Sequence, residues 1–111
     1  RAKEREAEYM LMAAEARRED AKARASGELG IAWSMYAQGR ETLRLLEHTL
    51  LPQAQATRDA SQAALSSGKV DFDSVIEAER QLIDIRTQRL KTELDTRLAL
   101  TEIKKLTGDL K

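Results

Sequence analysis

Between positions 63 and 78 the chain reads AALSSGKVDFDSVIEA, and this stretch dictates how the segments on either side can be arranged. Everything before it has a helical texture, and so does everything after it. Gly68 suits the position just past a helix end, because glycine enters the left-handed conformation there without a steric cost. Asp71 then offers a carboxylate oxygen to the free N–H groups that open the next helix. Val70 and Val75 fall on either side of that cap at the spacing of a hydrophobic staple. Ser74-Val-Ile-Glu77 is a rival capping box three residues on, so the local chemistry leaves the start of the second helix open by about a turn. The expected outcome is an all-α chain: a long antiparallel, coiled-coil-like hairpin, with a helix over about 1–67, a turn at 68–70 and a helix over about 71–107.

Composition supports long helices rather than a globule. Ala, Leu, Glu, Arg, Lys and Gln dominate, there is one proline, and aromatic residues are only 4% of the chain. These are good helix formers with few interruptions, and too few bulky side chains for a thick core. Nineteen basic residues balance nineteen acidic ones, which removes the excess that nucleic-acid binding requires. The signs alternate along the helices, as on solvated faces. Cysteine is absent, so neither a disulfide framework nor thiolate chemistry is available. No stretch approaches the roughly 20 apolar residues of a membrane-spanning helix. The pattern offers no catalytic set, phosphate loop or metal-ligand spacing, so the expectation is no enzyme, no cofactor and no metal. The sole histidine, His48, reads as a surface residue.

Within residues 1–26, Tyr9-Met-Leu-Met12 is the one richer patch, and from 15 to 26 the apolar positions are all alanine. Gly27 and Gly30 weaken the helix by about 1 kcal/mol each relative to alanine. Even so, Leu29, Tyr36, Leu43 and Leu50 recur every seven residues, with Ala32, Leu46 and Ala60 on the same face, as in a coiled coil. Trp33 and Tyr36 read as a packing pair. Thr57, Ala60, Ala64 and Leu65 extend the edge toward the turn.

Pro52 removes the hydrogen bond to the His48 carbonyl, at a cost of about 3 kcal/mol in a regular helix. It either starts a new helix after a turn, giving a compact four-helix bundle, or kinks one long helix. Glu47-His-Thr-Leu-Leu holds no turn residue, which favours the kink.

In the second helix Phe72, Val75/Ile76, Leu82/Ile83, Leu90, Leu94, Leu98 and Ile103 form the apolar pattern, and Gly108 is the expected stop. At about 1.5 Å per residue the helices would measure about 100 and 55 Å. The first would overhang the second by nearly half its length and leave Met10, Leu11 and Met12 bare. The mismatch implies a partner, and the abrupt helical start at Arg1-Ala-Lys-Glu reads as a fragment of a longer polypeptide.

The ordered set Leu51-Pro-Gln-Ala, then Ala64-Leu-Ser-Ser-Gly-Lys-Val-Asp-Phe-Asp-Ser-Val-Ile-Glu-Ala-Glu-Arg80, then Leu106-Thr-Gly resembles the C-terminal repeat of the outer-membrane efflux protein family, the TolC-type exit ducts, including the metal-efflux branch. The resemblance covers about residues 50–108. It implies the second periplasmic hairpin of a homotrimer from a Gram-negative bacterium, in which an outer-membrane barrel continues into a helical tunnel. An adaptor protein of the periplasm, linked to an inner-membrane pump, would dock at the hairpin tip. Carried over by position, Ser67, Gly68, Lys69 and Val70 fall at the adaptor-contact tip. Family members often have an apolar residue at the position of Ser67, and some have a locking polar residue at that of Val70. Ser74 and Glu77 fall at the pore entrance, where Ser74 departs from the acidic residues usual there. The second reading is a generic coiled-coil or helical-bundle interaction module, an adaptor-type hairpin included.

Overall fold

The computed structural model describes residues 1–109. Helix α1 runs over Ala2–Leu45 and passes through a π-turn at Leu46–Leu50 into α2, Leu51–Ser66. The chain reverses once, at 67–71, and α3 returns over Phe72–Asp109. The result is an all-helical antiparallel hairpin measuring 96 × 21 × 13 Å. That length matches about 1.5 Å of rise for each residue from 2 to 66. Gly27 and Gly30 lie inside α1 without interrupting it, so a bundle folded back at Gly27 and Pro52 is excluded.

The reversal follows the chemistry of its residues. Gly68 has φ 74° and is the only positive-φ residue among those described. Its N–H donates to the Leu65 carbonyl at 3.0 Å, and the Lys69 N–H donates to the Ala64 carbonyl at 2.8 Å. These two bonds form a Schellman motif, which pairs carbonyls that a helix end leaves free. Asp71 Oδ1 accepts from the Ser74 N–H at 3.1 Å and from the Ser74 hydroxyl at 3.0 Å. Asp71 is therefore the N-cap, and the rival box at Ser74 and Glu77 is not used. Val70 is half-buried and Val75 buried, as the staple requires.

Pro52 neither breaks the rod nor reverses it. It sits in the first turn of α2, and the irregularity falls just ahead of it, where the Leu51 N–H reaches back five residues to the Leu46 carbonyl. A π-turn holds one more residue than an α-turn, so every face downstream is rotated by about 100°. Upstream, Leu29, Ala32, Tyr36, Leu43, Leu46 and Leu50 face α3 as the heptad requires. Downstream, Ala54, Arg58, Ser61 and Leu65 face inward, while Thr57 and Ala60, the expected seam residues, are exposed. Ala64 stays half-buried.

The expected apolar pattern of α3 divides in two. Val75, Leu82 and Ile103 are buried against the first rod. Phe72, Ile76, Ile83, Leu90, Leu94 and Leu98 are exposed, and the seam is completed by Ala78, Thr96, Ala99 and Leu106. Near Thr96 a small residue faces the first rod because the helices approach closely there. A Cβ on Gly39 would overlap the Thr96 hydroxyl and lie 3.0 Å from the Thr96 Cβ. Thr96 satisfies that hydroxyl within its own helix, donating to the Thr92 carbonyl at 2.7 Å.

Gly108 does not stop α3, which continues to Asp109. The overhang is shorter than expected. Residues 1–24 are all exposed, and cover by α3 begins with half-buried Ala25. Tyr9, Met10, Leu11 and Met12 are each at least 60% exposed.

Candidate functional site: the tip and the two flanks

The tip presents Ser67, Gly68 and Lys69 to solvent. Ser67 does not project freely: its hydroxyl donates to the Ala63 carbonyl at 3.1 Å and to that of Ala64 at 3.3 Å. Ser66 likewise donates to the Gln62 carbonyl at 3.1 Å. With these hydroxyls turned back onto their own helix, Lys69 is the exposed cation of the tip, beside the exposed carboxylate of Asp73. Val70 faces partly inward and Asp71 is committed to the cap. The tip therefore combines a fully bonded turn with one exposed cation and one exposed carboxylate.

Two lateral faces flank the seam. Residues one position before a seam residue lie on one flank, and residues one position after lie on the other, because successive residues are about 100° apart. Ile31 precedes buried Ala32 and Leu98 precedes buried Ala99, and the two line one groove with Met35. Glu28, Asp95 and Glu102 rim that groove, with no basic residue in its lining. Ser74 and Glu77 precede Val75 and Ala78, so this same acidic flank carries both proposed pore-entrance residues. Glu77 is exposed and engages in no ion pair among the described residues.

The other flank holds Trp33, which meets Tyr36 edge-on at 6.0 Å, with the Arg40 guanidinium 5.8 Å from the Tyr36 ring centre. Ile76, Ile83 and Leu90 run along it at seven-residue steps, one position after Val75, Leu82 and Arg89. Its charges are Arg40, Arg44, Arg86, Arg97 and Lys104 against Glu47, Asp59, Glu79 and Glu93, a mixed set with one positive charge in excess. Arg97 bonds Glu93 at 2.8 Å, and Glu79 accepts from Gln62 at 3.2 Å.

The sequence located the chain reversal at 68–70 but missed the flanks. Their signal was present as the doubled positions Val75/Ile76 and Leu82/Ile83, where two adjacent apolar residues serve two different faces. His48 is exposed within the π-turn. Among the described residues no group of three or more His, Cys, Asp or Glu side chains converges, and no helix is long and apolar enough to cross a membrane. No protein-family model, curated protein or solved structure matches the chain.

Proposed function

We propose that this chain is a periplasmic hairpin of an outer-membrane efflux duct, a wall element of a trimeric helical tunnel that docks an adaptor protein at its tip. The observation that carries the reading is the exposure of apolar side chains along both flanks of one thin hairpin. Ile31, Met35 and Leu98 lie on one side, and Trp33, Ile76, Ile83 and Leu90 on the other. A free-standing coiled coil has one seam, whereas a stave standing between two neighbours needs two more faces. The acidic rim of one groove and the arginines Arg40, Arg44, Arg86 and Arg97 on the other flank suit side-by-side contact between such staves. The sequence likeness around Leu51-Pro-Gln-Ala and the turn supplies the efflux family, the adaptor and the inner-membrane pump as partners.

In this reading the chain catalyses nothing and holds no cofactor or metal. Substrate passes along the tunnel, and small movements of the tips open or close it when the adaptor docks. Ser67, Gly68, Lys69 and Val70 form the docking surface. Glu77 lies at the pore entrance with Ser74, where three symmetry copies would repel one another and attract cations.

The test is made in the parent protein. Replacing Ser67–Val70 with acidic residues is expected to abolish efflux at unchanged expression and trimer content, and unimpaired efflux refutes the assignment. The generic interaction module is favoured by the same exposed flanks. It predicts a soluble complex in place of an outer-membrane trimer, which cross-linking in membrane fractions distinguishes.

A further inference from the structure

The groove over Ile31, Met35 and Leu98 and the flank that carries Trp33 lie at the same height along the rod. Gly39 and Thr96 meet across the seam and set a common level. From there α1 runs toward the tip and α3 away from it, each by about 1.5 Å per residue. Trp33 and Glu102 are both six residues from that level (33 to 39, 96 to 102), on the side away from the tip. Trp33 is therefore level with the groove, midway between Ile31 and Met35, but on the opposite flank.

The charges match in the same way. Asp95 and Arg40 each lie one residue toward the tip from the crossing, Asp95 on the groove rim and Arg40 on the other flank. Lys104, also on that flank, is level with Ile31, and its height differs from those of Glu102 and Glu28 by about 3 and 4.5 Å. Among the described residues Glu28, Asp95, Glu102 and Lys104 engage in no ion pair, whereas Arg97 is taken by Glu93. Trp33 is 52% exposed and meets Tyr36 only edge-on, so much of its indole is open. The groove offers about 380 Å³ above three apolar side chains that are each more than half exposed. Tryptophan and arginine are the side chains that most often anchor a contact between proteins.

We propose that a second copy of this hairpin docks level and parallel, seating its Trp33 in the groove, with its Arg40 against Asp95 and its Lys104 beside Glu102 and Glu28. The contact joins a groove to a tryptophan flank, so it is heterologous, and copies add side by side until a ring closes. The inference rests on the side-by-side packing of the duct reading and on neither its tip nor its adaptor.

Trp33 is the chain's one tryptophan, so its emission reports the seating. As the wild-type chain is concentrated to about 1 mM, the range of a small contact, its emission is expected to move to the blue and its sedimentation mass to rise above the monomer. Trp33→Ala removes the anchor and Leu98→Lys puts a cation in the groove. Both positions are more than half exposed, so both variants are expected to stay helical by circular dichroism and monomeric. Mixed, the two share one intact groove and one Trp33, and they are expected to form a one-to-one dimer with blue-shifted emission. Asp95→Arg is expected to weaken the wild-type association about tenfold, and Arg40→Asp in the same chain to restore it. A wild-type chain that stays monomeric, a single variant that still self-associates, a mixture that stays monomeric or a charge swap that restores nothing overturns the proposal. Those results sink this contact alone, whereas unimpaired efflux after the tip replacement sinks the duct.

Discussion

Gly39→Ala tests the packing on which the hairpin rests, because two effects of known size oppose each other there. Alanine is favoured over glycine inside a helix by about 1 kcal/mol. Against this, the added Cβ overlaps the Thr96 hydroxyl and lies 3.0 Å from its Cβ. Thr96 is 7% exposed, and its hydroxyl is held by the Thr92 carbonyl at 2.7 Å, so it cannot swing away without losing that bond. Overpacking of this kind costs about 1–3 kcal/mol. The clash outweighs the propensity gain, and Gly39→Ala is expected to destabilise the hairpin by about 1 kcal/mol, or about 4 °C in midpoint for a chain of this size. Gly27 and Gly30 supply the control, since a Cβ at either position meets nothing within 4 Å. Alanine there is expected to stabilise by up to about 1 kcal/mol each. Combining Gly39→Ala with Thr96→Ala removes the hydroxyl and leaves one tight methyl contact, which a small helix shift relieves. A favourable coupling of about 1 kcal/mol is expected in that double-mutant cycle. Thermal unfolding followed at 222 nm (the helix band), at fixed protein concentration, reads all five variants. If Gly39→Ala stabilises the chain as much as Gly27→Ala does, the helices do not approach closely at that point and the account of the small-residue seam is wrong.

Other outcomes follow from the same structure. Leu82 is fully buried, and Leu82→Ala is expected to cost about 2–5 kcal/mol in denaturant unfolding, whereas Leu90→Ala on the exposed flank should cost far less in the isolated chain. Gly68→Ala forces a side chain into φ 74° and is expected to cost about 1–2 kcal/mol. Asp71→Ala removes the cap of α3 at about 1 kcal/mol, and a melt unchanged by it would argue for the Ser74 start instead. Solution scattering of the monomeric chain is expected to give a radius of gyration near 26.1 Å, and a value near 13 Å, that of a compact domain, would contradict the rod.

The limits of sequence reading show most clearly in α2 and α3. Periodicity identified Leu29 through Leu50 as one stripe, and the structure agrees up to the π-turn. Past it, Thr57 and Ala60 were assigned inward on the assumption that an α-helix keeps its phase through a proline. In α3 neither member of the apolar pairs Val75/Ile76 and Leu82/Ile83 carried a mark of which face it served. Leu90, Leu94 and Leu98 read as core by their four-residue steps, yet Thr96 and Ala99 occupy the seam. Gly39, which sets how near the helices come, looked no different from Gly27 or Gly30, because a glycine signals its partner only once the partner is in place.

What the chain's own letters determined is local. Gly68 is tolerated at positive φ, Asp71 caps the N–H of the residue three ahead, and alanine-rich stretches with one proline extend as rods. Each depends on groups a few residues apart, so each is legible from spacing. What only the tertiary structure decided is face: the close crossing of Gly39 and Thr96, and the division of apolar side chains between one seam and two open flanks. These depend on how two helices meet, and at the Gly39–Thr96 crossing on two residues far apart in the sequence, which no single helix can announce.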